Sequence, residues 1–96
     1  MSEEYGMPFD AKMLLAIKSL KKFRDCVDEY IYRLEEAMKL KAKASYYEEK
    51  IKNDFLKDDE IYEMYHLSEQ LRITNDCILE VQNKMNEIGN GIRNLF

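Results

Sequence analysis

One pair of side chains has the spacing of a metal-binding motif. Glu63 and His66 are separated by two residues in the stretch EMYH, and Glu-x-x-His pairs on facing helices hold the metals of di-iron helical bundles. A dimer of helical hairpins would bring two such pairs together, and Glu48 could supply further carboxylates. At about 100° per residue, however, His66 points roughly 130° away from the apolar stripe of its helix. We therefore expect a surface histidine, with no metal site and no cofactor.

The two cysteines, Cys26 and Cys77, are the other candidates for chemistry. In an antiparallel pair of helices they would lie about 18 Å apart along the axis, at 1.5 Å per residue, which is too far for a disulfide. We expect buried or half-buried free thiols. The sequence shows no Ser-His-Asp or Cys-His arrangement and no glycine-rich phosphate loop, so it predicts a protein that is not an enzyme.

Charged side chains cluster by sign along the chain. Residues 11–24 hold five bases and no acid, whereas residues 57–96 hold four bases and eight acids. A basic helical face can contact nucleic acid or an acidic partner. Five bases in a chain of net charge −4 more often form a solvated face, so nucleic-acid binding through Lys12 to Arg24 is the least favoured of three functional interpretations.

Composition indicates the class of protein. The 96 residues suffice for one domain, and with 46% hydrophobic and 35% charged residues the chain suits amphipathic helices better than disorder. Three glycines and one proline argue against a β fold. The first ten residues lack the apolar segment of a signal peptide, and no run approaches the length of a membrane span. We expect a cytoplasmic protein without membrane association, and export without a cleaved signal stays open.

Apolar residues recur at alternating spacings of three and four in two separate stripes. The stripe from Met13 to Phe55 is apolar at eleven of thirteen positions, and the stripe from Met64 to Leu95 at nine of ten. This spacing is typical of helices that pair as in coiled coils. The phases of the two stripes disagree, and the break falls in NDFLKDDE at residues 53–60.

The phase break predicts a turn, and therefore an all-α fold of two long antiparallel helices. The expected elements are a tail over residues 1–9, a helix over 10–54, a turn over 55–59 and a helix over 59–94. Asp10 and either Asp58 or Asp59 are the expected N-caps, and fraying is expected at Gly89 to Gly91. The alternative is one continuous helix with a stutter, about 120 Å long.

A hairpin folded about residue 57 or 58 places Tyr30 opposite Met85 and Leu20 opposite Leu95. Lys41 then lies across from Thr74, either as a polar layer that fixes the register or as a lysine that snorkels to solvent. Residues 1–19 would extend beyond the second helix. Their segment AKMLLAIKSL is apolar all round, and such a helix needs a cover.

Three covers are possible for this overhang: the N-terminal YGMPF, the C-terminal Leu95 and Phe96, or a second chain. We favour a second chain, which completes a bundle. Exposed tyrosines near the turn are further candidates, because tyrosine is frequent in binding hot spots. The predicted partner-binding residues are Met13, Leu14, Leu15 and Ile17 in the overhang, Ile31 and Met38 on the exposed flank, and Tyr46, Tyr62 and Tyr65 near the turn.

Two short motifs bear on a family resemblance. Tyr-x-x-x-Glu occurs at Tyr32 to Glu36 and again at Tyr65 to Glu69, within the helices. In length and predicted architecture the whole chain resembles the WXG100-like partner proteins of type VII secretion, which implies a helical hairpin that acts with a helical partner. The Trp-X-Gly turn of that group is absent, so the resemblance assigns no site residue.

The sequence thus predicts a protein–protein interaction module, a structural or adaptor subunit that acts through a helical interface. It would form a homodimeric bundle or one half of a heteromeric helical complex, for example as a small secretion partner. The alternative is a small phage-type inhibitor or anti-defence protein that binds and blocks a larger target.

Overall fold

A computed structural model describes residues 8–96 as two long helices joined by a short turn. Helix α1 spans Phe9–Asn53 and helix α2 spans Asp58–Leu95. The helices lie side by side and antiparallel, in a rod that measures 75 × 17 × 17 Å. The predicted all-α helical hairpin is therefore confirmed.

Backbone and side-chain hydrogen bonds close the turn over residues 54–57. The N–H of Asp54 donates to the Lys50 carbonyl at 2.8 Å, which completes the last turn of α1. The N–H of Lys57 donates to the Glu60 carboxylate at 3.1 Å. In this capping-box contact the side chain of the third helical residue accepts from the N–H of the residue before the helix. The Glu60 carboxylate also binds the Lys50 ammonium, so a single side chain ties the end of α1 to the start of α2.

Each of the four helix ends differs from the predicted one by one residue. Pro8 rather than Asp10 precedes α1, and a proline fits there because the first helical N–H groups have no partner within the helix. Lys57 precedes α2, and both aspartates lie in its first turn, where the helix dipole favours acids. Residues 1–7 of the predicted tail lie outside the described residues.

The fraying predicted at Gly89 to Gly91 is wrong. Helix α2 continues through both glycines to Leu95, and neither glycine has a positive φ. Ile88 and Ile92 flank them and are half-buried against α1. Burial of these apolar side chains holds the last turns of α2 in place despite the low helix propensity of glycine.

The apolar stripe of α2 forms its side of the core, as predicted. All ten of its positions, from Met64 to Leu95, are buried or half-buried. Leu67, Thr74 and Val81 are the buried ones, and Val81 is only 2% exposed. The phase predicted for the apolar stripe of α2 is therefore correct along its whole length.

The stripe predicted for α1 is half wrong. Alternate members, such as Phe23, Tyr30 and Ala44, do face α2, but Lys41 and Glu48 are exposed. The positions that complete the α1 core stripe lie one residue earlier than predicted. These inward positions are Ser19, Cys26, Arg33, Leu40 and Tyr47.

In the second half of α1, the observed phase has a simple energetic reason. The observed phase brings Leu40 and Tyr47 inward in place of Lys41 and Glu48, and burying an unpaired charge costs far more than exposing one apolar side chain. The predicted polar layer is therefore wrong: Thr74 is buried, whereas Lys41 lies in solvent.

The helices are also paired in a different register. The turn is centred between residues 55 and 56 rather than at 57 or 58, and the Tyr30 hydroxyl meets Gln82 rather than Met85. Helix α2 consequently reaches further along α1, and the rings of Phe96 and Phe9 pack edge to face at 6.3 Å. The overhang predicted for residues 1–19 is therefore shorter than expected, and Phe96 packs on the start of α1 at Phe9.

Candidate protein-binding surfaces

The residues considered for chemistry are engaged in surface or structural contacts. His66 is exposed, and one ring nitrogen lies 3.2 Å from the Gln70 side-chain amide. Hydrogen bonding to the Glu63 carboxylate, together with burial, raises the pKa of Tyr47 to about 12. Glu63 is itself exposed and lies near Tyr47 of α1.

The candidate metal and thiol residues do not come together in the described part of the chain. Within residues 8–96, no three side chains of His, Cys, Asp or Glu come close enough together to hold a metal ion. Cys26 and Cys77 are both free and half-buried.

Helix α1 carries a second apolar stripe beside its core stripe, which we call the lateral stripe. Each of its members from Ile17 onward follows a core position by one residue, so the two stripes are about 100° apart around the helix. The spacing alternates between four and three, and seven of the eight members are apolar. The lateral stripe consists of Met13, Ile17, Leu20, Arg24, Val27, Ile31, Leu34 and Met38.

Most of the lateral stripe is open to solvent. Met38 is 72% exposed, Val27 is half-buried, and the other six members are exposed. Large contiguous apolar surfaces of this kind mark interaction sites in soluble proteins. A helix with apolar stripes on two faces is typical of a bundle in which it has two neighbours, and among the described residues α2 is the single neighbour of α1.

A groove lies at the C-terminal end of the lateral stripe, where α1 meets α2. Its volume is about 710 Å³, and its α1 wall includes Leu34 and Met38. Leu71 and Ile78 supply apolar side chains from α2. The groove extends the apolar surface from the lateral stripe onto the second helix.

A second exposed surface lies around the turn, and we call it the turn patch. It comprises Ile51, Phe55, Ile61, Tyr62 and Tyr65. Two shallow grooves of about 580 and 270 Å³ meet at Ile61, which lines both. Phe55 is 92% exposed and Tyr62 is 82% exposed, because the chain leaves α1 before Phe55 and the tyrosines point away from the core stripe.

The structure leaves all nine predicted partner-binding residues exposed but groups them differently. Met13, Ile17, Ile31 and Met38 share the lateral stripe. Tyr62 and Tyr65 belong to the turn patch, whereas Tyr46 packs edge to face on Tyr47 at 5.4 Å and lines neither groove of the patch. Leu14 lies beside the lateral stripe, whereas Leu15, two residues from both Met13 and Ile17, points to the opposite side of α1.

Sequence reasoning missed four members of the lateral stripe, namely Leu20, Arg24, Val27 and Leu34. Leu20 and Leu34 were assigned to the helix–helix core, but both are exposed. The regular spacing from Met13 to Met38 was the signal that could have placed them together.

An ion pair with a perturbed carboxyl group stabilises the base of the turn. The hydrogen bond from Lys50 holds the pKa of Glu60 below its usual value, and the Lys57 N–H adds to the effect. The same contact raises the pKa of Lys50. Both groups are charged at neutral pH and keep the two helix ends together beside the turn patch.

No protein-family model matches this chain, and no curated protein or solved structure matches it significantly. The resemblance to WXG100-like proteins therefore stays a prediction. In the part of the chain that the structure describes, neither helix carries an apolar run long enough to cross a bilayer.

Proposed function

We propose that this protein is a non-enzymatic interaction module, a structural or adaptor subunit that binds a helical partner along the lateral stripe. The observation that carries the proposal is the exposure of this regularly spaced apolar stripe, about 100° around α1 from the face that binds α2. A small cytoplasmic or secretion partner, as the WXG100-like resemblance implies, is one such role.

The energetics favour association through this surface. Full burial of one Leu, Ile or Met side chain contributes about 1.5–3 kcal/mol, and covering the remaining exposed part gains roughly half of that per residue. Six exposed apolar members together offer several kcal/mol. Association costs roughly 4–15 kcal/mol in lost motion, so the gain from the stripe lies within that range and burial of the groove beside α2 would add to it.

Site-specific photo-crosslinking in the native cell tests the proposal. A benzophenone amino acid at Met38 lies on the lateral stripe, whereas the same group at Glu29 lies on the opposite face of α1 and serves as the matched control. We expect a protein adduct at Met38 and none at Glu29. Equal adducts at both positions, or none at Met38, would contradict a binding face on the lateral stripe.

A second candidate function uses the turn patch. Phe55, Tyr62 and Tyr65 are exposed at one end of the rod, where they could reach into a cleft of a larger protein and block it. Aromatic side chains of this kind dominate the energy of many interfaces. An inhibitor of this type requires that Tyr62→Ala abolish target binding without unfolding, while Tyr46→Ala, outside the patch, leaves binding unchanged.

A further inference from the structure

We infer that a second copy of this chain covers the lateral stripe, with the two α1 helices antiparallel about a two-fold axis near residues 25 and 26. The inference rests on the proposed function and names the partner of the same surface. It depends on two properties of α1: the symmetry of the stripe's spacing and the separation of charge along the helix.

The spacing of the lateral stripe reads the same in both directions. From Met13 to Met38 the steps are four, three, four, three, four, three and four residues. An antiparallel copy therefore aligns every member with a member. Met13 lies opposite Met38 of the second copy, Ile17 opposite Leu34, Leu20 opposite Ile31, and Arg24 opposite Val27.

The charges of α1 are self-complementary only in the antiparallel arrangement. Residues 11–24 hold five bases and no acid, whereas residues 25–38 hold five acids and one base. The axis near residues 25 and 26 divides these halves, so the basic half of each copy lies along the acidic half of the other. A parallel pair would place like charges side by side, which is destabilising.

Lys21 and Asp28 flank the stripe at positions that an antiparallel copy brings together, on either side of Asp25, which lies beside its own copy near the axis. Lys21 follows Leu20 and Asp28 follows Val27, so both lie on the edge of the stripe that faces away from α2, and both are exposed. In the antiparallel dimer Lys21 lies beside Asp28 of the second copy. Two-fold symmetry produces this pair twice.

The two faces of α1 make it one corner of a four-helix bundle. Neighbouring helices in such a bundle contact two different faces of each helix, and the core and lateral stripes are about 100° apart. The dimer would close the groove lined by Leu34, Met38 and Ile78. Residues beyond about position 42 extend past the second copy, so both turn patches stay free at opposite ends.

Light scattering with charge-swap variants of the full chain tests the dimer. The mass of the wild type should be twice the 11.5 kDa of one chain. Lys21→Glu and Asp28→Lys should each weaken dimerisation about tenfold, since each reverses two ion pairs. The double variant should restore the wild-type affinity. Lys22→Glu, on the opposite face of α1, is the control and should leave the mass unchanged.

Failure of the dimer can be distinguished from failure of the proposed function. A monomer at high concentration, or a dimer that does not respond to the charge swaps, overturns the inference. If the purified chain is monomeric and Met38 crosslinks in cells to a different protein, the binding face stands and the second copy is wrong. If Met38 also forms no adduct, both proposals fail.

Discussion

The Tyr30 hydroxyl accepts a hydrogen bond of 2.8 Å from the Gln82 side-chain amide, between residues 52 positions apart in the chain. The contact joins the middle of α1 to the middle of α2 in a core made mainly of apolar side chains. This hydrogen bond can form in one register only, because a shift of one helical turn would displace the two groups by about 5.4 Å along the helix axis. A directional bond of this kind therefore selects among the registers that apolar packing alone allows.

We predict that Tyr30→Phe or Gln82→Leu each destabilises the hairpin by about 1 kcal/mol, the usual net worth of a hydrogen bond. The double variant should lose less than the sum, because the two groups share one interaction. Chemical denaturation of the three variants gives the coupling free energy. Strictly additive losses would show that the bond does not contribute to stability.

The buried residues of α2 should be the most sensitive to truncation. Leu67 is buried against α1, so Leu67→Ala should lower the free energy of unfolding by about 2–4 kcal/mol. The control is Leu79→Ala, since Leu79 is exposed on the same helix and should cost well under half as much. Equal losses at both positions would contradict the packing face assigned to α2.

Replacement of Gly91 should stabilise the protein. Gly91 lies within α2 without a positive φ, and an added methyl group would meet no atom within 4 Å. Gly91→Ala should therefore raise the free energy of unfolding by about 0.5–1 kcal/mol, because alanine loses less backbone freedom on folding. A lower melting temperature would instead indicate that the chain is not helical at this point.

Acid should weaken the link at the turn. Lys50 holds the pKa of Glu60 below its usual value of 4.5. The ion pair therefore contributes to the free energy of unfolding above that pH. This contribution is lost as the pH falls through the lower, folded-state pKa, because the protonated carboxyl group no longer forms an ion pair.

Glu60→Gln tests this pH dependence. The variant should be less stable than the wild type at pH 7, and the difference should shrink as the pH falls below 4.5. Glu87→Gln is the control for loss of a carboxylate elsewhere on α2. A difference between wild type and Glu60→Gln that does not change with pH would rule out the ion pair as its source.

The fold could be predicted from the sequence because its apolar spacing is long and regular. In α2 a single phase fits, and the stripe from Met64 to Leu95 lies in the core as predicted. In α1 two stripes run side by side, and the predicted stripe alternated between members of the two. Spacing alone could not decide which stripe binds α2, since the choice depends on the side chains that the partner helix presents.

The position of the turn was harder to predict than its existence. The segment NDFLKDDE offers several acids that could precede a helix, but α2 begins after Lys57, whose N–H donates to the Glu60 carboxylate. A small shift of the turn centre changes every cross-helix pair, from Phe9 with Phe96 at one end to Lys50 with Glu60 at the other. Registers of long hairpins are sensitive to such contacts because apolar packing repeats at every turn.

The candidate surfaces could be predicted only in part. Ile17 was expected in the overhang and Ile31 and Met38 on an exposed flank, and all three are exposed. Phe55 was assigned to the core stripe but is the most exposed of the large apolar residues in the described chain. Its exposure follows from the end of α1 at Asn53, which no periodic pattern reveals. The role of these residues in binding stays a prediction.

The central claim is that the lateral stripe is a helix-binding face occupied by a second copy. Light scattering across a concentration series, with the wild type and Ile31→Glu compared, tests it most directly. We expect twice the 11.5 kDa chain mass for the wild type and a folded monomer for Ile31→Glu, because Ile31 is exposed in the single hairpin. A wild type that stays monomeric at every concentration, or a dimer that Ile31→Glu leaves intact, would contradict the account.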